Sequence, residues 1–122
     1  MAVMVSTGII GGYLPGLFRA QPFSISLWIH IPDSLHHGVV FHKGEGAILY
    51  DFKGYHLALR DDRLEVLMAR NWPYNAIIKV SEQKVAKYRW THLVLTYDGL
   101  GKAAGLKLYA DGREQDMVVE KD

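Results

Sequence analysis

The chain has no cysteine. Disulfides, zinc–thiolate sites, iron–sulfur clusters and haem attachment through Cys-x-x-Cys-His are therefore excluded within it, while the compartment stays open. It has no excess of one charge: 14 Lys and Arg stand against 13 Asp and Glu, for a formal net charge of +1. Phosphate binding wants a basic stripe, and the basic residues here are scattered, so nucleic acid is not an expected partner. No apolar run approaches the roughly 18 residues that span a bilayer as a helix. Val3, Met4, Val5, Ile9 and Ile10 lie near the start, but no basic residue precedes Arg19 and glycines cut the run. A signal peptide needs a positive start and a continuous apolar core, so none is expected here. There is no internal repeat, no low-complexity segment and no amphipathic stretch long enough for a sizeable helix.

What the chain does have is a two-residue rhythm. Between Phe23 and Ile31, Phe23, Ile25, Leu27, Ile29 and Ile31 share one face, and Ser24, Ser26, Trp28 and His30 share the other. That alternation predicts a strand with one face made for a core. From Thr91 to Asp98 it recurs, with Leu93, Leu95 and Tyr97 opposite His92, Val94 and Thr96. Gly99, Gly101 and Gly105 supply the following loop, where positive φ favours glycine. Leu106 and Leu108 resume an inward face, and Asp111-Gly112 is a turn signal. Residues 88–112 thus read as a hairpin around which the chain is organised.

Elsewhere Val3–Ser6, Val39–His42, Ala47–Phe52, Tyr55–Arg60, Leu64–Ala69, Ala76–Val80 and Met117–Val119 read as strands. Lys43-Gly44-Glu45-Gly46, Lys53-Gly54 and Asp61-Asp62-Arg63 read as turns between them. Ser81–Lys87 has the composition for a single helical turn. Eight or nine short strands with glycine turns predict an all-β, antiparallel sandwich or barrel. Length allows one domain over residues 1–122, with its core in 20–122 and a weakly patterned lead-in at 1–19.

Two stretches carry a family resemblance. Pro22-Phe23-Ser24-Ile25-Ser26-Leu27-Trp28-Ile29 resembles the entry strand of laminin-G-like domains in the concanavalin A-like jelly-roll superfamily. Trp90 to Gly99 followed by Leu106 to Gly112 resembles that family's most recognisable hairpin, with Phe41-His42-Lys43-Gly44 between the two. More narrowly, Arg70 to Ile77 and Gly101 to Leu106 are similar to the laminin-G-like insert of large planctomycete-type bacterial proteins that also carry a c-type cytochrome domain. The resemblance implies a jelly-roll sandwich in a secreted or cell-envelope protein. It also implies further strands past residue 122, which makes this chain a fragment; an unfinished sandwich exposes strand edges and an apolar face, so it is expected to pair with a second copy, swap strands or aggregate.

Four kinds of chemistry stand against plainer roles for the same residues. The superfamily contains glucanases, whose paired carboxylates flank the sugar bond. The nearest approach here is Asp61, Asp62 and Glu65, and the first two read as turn residues; an enzyme is not expected. Calcium, which the resemblance implies at the rim, would take oxygen ligands such as Asp98, Asp111, Asp33 and Glu45. At Asp98 and Asp111 the plainer role is a turn before glycine. The six histidines include His30, His42, His56 and His92 on the faces opposite the apolar ones, with the adjacent His36 and His37 pointing apart; exposed sheet histidines are the plainer reading. Aromatic rings that stack on sugars are the remaining lead. Trp72 and Tyr74, in a loop, serve either as anchors or as ligand contacts. Trp28 is the third candidate, though it also reads as filler in a curved sheet, and Trp90 reads as packing. The function expected is a non-catalytic recognition or spacer module, its partner a polysaccharide or a neighbouring domain. A carbohydrate-active enzyme and a purely architectural domain are the alternatives.

Overall fold

The computed structural model describes residues 2–10, 22–47, 50–71 and 75–122. Within them are ten strands: β1 (Ala2–Ile10), β2 (Phe23–His30), β3 (His37–Ala47), β4 (Tyr50–Arg60), β5 (Arg63–Asn71), β6 (Asn75–Ser81), β7 (Trp90–Tyr97), β8 (Leu106–Ala110), β9 (Arg113–Glu114) and β10 (Met117–Lys121). They form two five-stranded sheets, ordered β1-β2-β7-β8-β9 and β10-β6-β5-β4-β3. Every pairing is antiparallel. The fold is an antiparallel β-sandwich, one of the two architectures the alternation predicts, and of the jelly-roll kind the resemblance implies.

The core lies between the sheets. The first sheet contributes Phe23, Ile25, Leu27, Ile29, Leu93, Leu95, Tyr97, Leu106 and Leu108, and the second contributes Tyr55, Leu57, Leu59, Leu64, Val66, Met68 and Ile77. All are almost wholly buried, so their removal from water is the main drive for the two layers to meet. Phe23 stacks on Tyr55 across the sandwich with ring centres 5.1 Å apart, and Phe41 stacks on the same ring at 5.4 Å. Burial pushes the Tyr55 hydroxyl up to about 12.

A lysine also crosses the core. Lys79 sits on the inner face of β6, opposite Val66. Its Nζ donates to the carbonyls of Ala103 (3.0 Å) and Leu106 (2.7 Å) in the β7–β8 connection. Charge in the interior is tolerable only when so partnered. Burial is the main cause that pulls its amine below the ordinary lysine value.

The structure redraws three segments. Lys43–Gly46 and Lys53–Gly54 are not turns; they pair with each other inside one long hairpin, Gly44 facing Gly54 and Glu45 facing Lys53. β3 and β4 are therefore 11 residues each rather than three short strands. Glycines facing each other leave no side chains to clash, and register shifts at Val39/Phe41 and Glu45/Ala47 absorb the irregularity. Ser81–Lys87 does not form the expected helical turn. Its backbone reaches outward instead, with Glu82 N–H bound to Asp116 O and Val85 N–H to Asp62 O. The single 3-10 turn of the described residues falls at Ala103–Gly105 in the glycine loop.

Candidate functional site

The inward apolar set of β2 and β7 forces every second residue of these central strands outward. In register, Trp28 then faces His92, and His30 faces Trp90. The rings meet: Trp28 and His92 lie 4.8 Å apart and tilted by 35°, and His30 meets Trp90 edge-on at 5.5 Å. Ser26 Oγ and His92 Nε2 share a hydrogen bond of 2.6 Å, which fixes the imidazole beneath Trp28. Trp28 remains 37% exposed and Trp90 42%. Cross-strand contact thus holds both indoles in place while leaving a face of each to solvent. Such rings offer apolar area and a polar edge together, which suits a wet interface.

The same face continues along the strands to a depression of about 480 Å³ lined by Ser24, Thr96, Lys107, Tyr109 and Asp98, among others. The strip from Trp90 and His30 to Ser24 and Thr96 follows β2 for roughly 20 Å at the usual strand rise. It is an indole–imidazole ladder at one end and hydroxyls with one ammonium at the other. Just before the ladder, Tyr88 is 69% exposed and adopts φ 57°. A bulky aromatic in the left-handed region is an outlier, and such strain collects at ligand-contacting places.

The residues singled out in the sequence are dispersed. Trp28 belongs to the ladder. Trp90 is on the exposed face rather than in the packing where it was expected, because its register opposite His30 turns it outward. Trp72 and Tyr74 lie outside the described residues. Asp98 and Asp111 stand at opposite ends of the β7–β8 hairpin. Asp98 adjoins Gly105, whereas Asp111 is level with His92, a separation of roughly 20 Å along the strand. They cannot ligate one ion together. Asp98 Oδ1 accepts from Leu100 N–H at 2.9 Å, closing its own loop. Asp111 accepts the backbone N–H of His92 at 3.0 Å and pairs with Arg89 at 3.0 Å. That backbone bond, with Arg89 second, holds its carboxyl below the usual carboxylate range. Asp33 is an exposed turn residue, and the side chain of Glu45 lies outside the described set.

Asp61 and Asp62 make a turn in which both residues have positive φ, 50° and 65°. Asp62 is bound by Lys87 at 2.8 Å and by His36 at 2.7 Å, while Glu65 is paired to Arg60 at 2.6 Å. The four sheet histidines split into two pairs, His30 and His92 on the first sheet and His42 and His56 on the second. The ladder was within reach of the sequence only through register: once β2 and β7 are paired as they are, Trp28, His30, Trp90 and His92 become neighbours.

A laminin-G family model, described as the concanavalin A-like lectin/glucanases superfamily, matches residues 12–120. No curated protein and no solved structure matches the chain. With the model covering nearly all of the sequence and the two antiparallel sheets in place, the chain belongs to the concanavalin A-like lectin/glucanases superfamily.

Proposed function

We propose that the chain is a non-catalytic recognition module that lays an extended polysaccharide along the outer face of its first sheet. The observation that carries this is the exposed ladder of Trp28, His92, His30 and Trp90, leading into the hydroxyl- and lysine-lined depression at Ser24, Thr96, Lys107 and Tyr109. Sugar rings stack on the indoles, and ring hydroxyls meet Ser, Thr, Tyr and Lys further along. A long, flat strip favours a polymer over a single sugar, whose surface a closed pocket would have to surround. The non-catalytic part rests on the acids. Asp62 and Glu65, closest in sequence to a glucanase pattern, are each engaged by a cation, whereas a general acid needs a carboxyl with a raised pKa. The resemblance to planctomycete-type proteins makes the parent, on this proposal, a secreted or envelope protein of a bacterium.

The test is binding to a panel of soluble and insoluble polysaccharides. Trp28→Ala and Trp90→Ala are each expected to weaken binding at least tenfold, about 1.4 kcal/mol. Val118→Ala, on the outer face of the other sheet, should leave it unchanged. Failure of the wild-type chain to bind any polymer would replace recognition with an architectural role. Release of reducing sugar would replace it with an enzyme.

A further inference from the structure

The outer face of the second sheet carries a different constellation. His42 on β3 and His56 on β4 stand directly opposite each other in the hairpin register. Their ring centres are 5.8 Å apart and the planes are nearly perpendicular, at 87°. His56 is only 6% exposed, and its buried Nδ1 has no hydrogen-bond partner among the described residues. A buried imidazole nitrogen without a partner is costly to keep, and a native fold rarely leaves one without reason.

We propose that His42 and His56 form a binding site for a divalent transition-metal ion of the zinc or copper class. Imidazole is the ligand these ions favour, and hard ions such as calcium avoid it. A metal–nitrogen bond is about 2.0–2.1 Å long, so two imidazoles sharing one ion have ring centres roughly 5–6.5 Å apart, and 5.8 Å falls within that span. The paired strands β3 and β4 set the two side chains directly opposite each other, so little ordering entropy remains to be lost on binding. Burial first, and His42 second, push the His56 imidazole below the ordinary histidine value. The strand beside it presents Leu67, opposite His56, and the floor continues through Ala58 and Ala69, all buried. An apolar surround of this kind strengthens the ion's bonds to its ligands.

Among the described residues no group of three or more His, Asp and Glu is gathered as a metal site. With two imidazoles as its ligands, the ion has further coordination positions to be filled by water or by another donor. The site lies on the sheet opposite the tryptophan ladder, and its fate is independent of polysaccharide binding.

The test is a zinc chloride titration of the intact chain, followed through the imidazole signals in proton–nitrogen correlation spectra and through Tm. One equivalent of zinc should move the His42 and His56 signals together and raise Tm. His42→Ala, or His42→Gln as a closer match in size, should lower the zinc affinity at least tenfold, with the metal-free Tm little changed because His42 is exposed. His36→Ala, in the exposed neighbours His36 and His37, should keep full affinity. Zinc shifts confined to His36 and His37, undiminished affinity in the His42 variants, or no response up to millimolar zinc would each overturn the site.

Discussion

At Gly105 the requirement is space. A Cβ built there would lie 2.0 Å from Asp98 Oδ1 and 2.2 Å from its Cγ. Asp98 is short and already engaged, its backbone N–H donating to Gly105 O and its carboxylate accepting from Leu100 N–H, so it has little freedom to yield. Gly105→Ala is expected to cost about 1–3 kcal/mol in denaturant unfolding. In an Asp98→Ala background the same substitution should cost less than half as much, which a double-mutant cycle measures directly. Equal costs in both backgrounds would show that the close approach is not the reason for glycine. Composition marks the loop correctly but assigns all three glycines to positive φ. Gly99 and Gly101 do take φ of 84° and 80°, whereas Gly105 does not and is needed for the carboxylate beside it. A sequence shows that glycine is present; which of its two properties is used depends on a neighbour seven positions away.

At the scale of elements, one carboxylate gathers three connections. Asp62, in the β4–β5 turn, is bound by Lys87 from the β6–β7 crossover and by His36 from the β2–β3 crossover. Lys87 also donates to the carbonyls of Leu35 and Pro32, so two crossings between sheets are tied to one hairpin tip. Lys87, with His36 second, holds the Asp62 carboxyl down at about 2, below its usual 3.8. A carboxyl lowered on folding stabilises fully above its unfolded value and loses that contribution as pH falls through the folded one. The wild-type chain should therefore lose stability between about pH 4 and pH 2 through this group. Asp62→Asn, which tolerates the same positive φ, should lower the proton uptake on unfolding in that window by up to about one proton. Denaturant midpoints across the pH range measure it; identical slopes would place the acid sensitivity elsewhere. Elements were legible where alternation is clean, as in β2 and β7. They were not where glycine falls inside a strand: Gly44 and Gly54 read as punctuation and turn out to be partners in one ladder. The carboxylate's role was legible only as turn chemistry, since nothing local links residues 36, 62 and 87.

For the whole molecule, the two-layer architecture followed from the inward faces, but the outward faces did not. The second sheet is apolar on its far side as well, where Leu67, Ala69 and Ala76 cluster with Ile78. Alternation cannot flag small residues such as Ala58, Ala69 and Ala76, whose burial depends on what the fold brings over them. The distribution of histidines and tryptophans over two opposite surfaces was likewise invisible before the strand order was known.

Lys79 has a consequence at this same scale. Its amine is occupied by two main-chain carbonyls of the other layer, so an acylating reagent can reach it only after the layers part. Acylation of Lys79 should run far more slowly than that of the exposed Lys102 and Lys107, and should accelerate with denaturant in step with unfolding. Comparable rates at all three in native buffer would mean that the ammonium is not held between the layers. The domain thus carries an internal tamper seal: a single chemical mark, readable by peptide mass spectrometry, records which molecules in a population have ever come open.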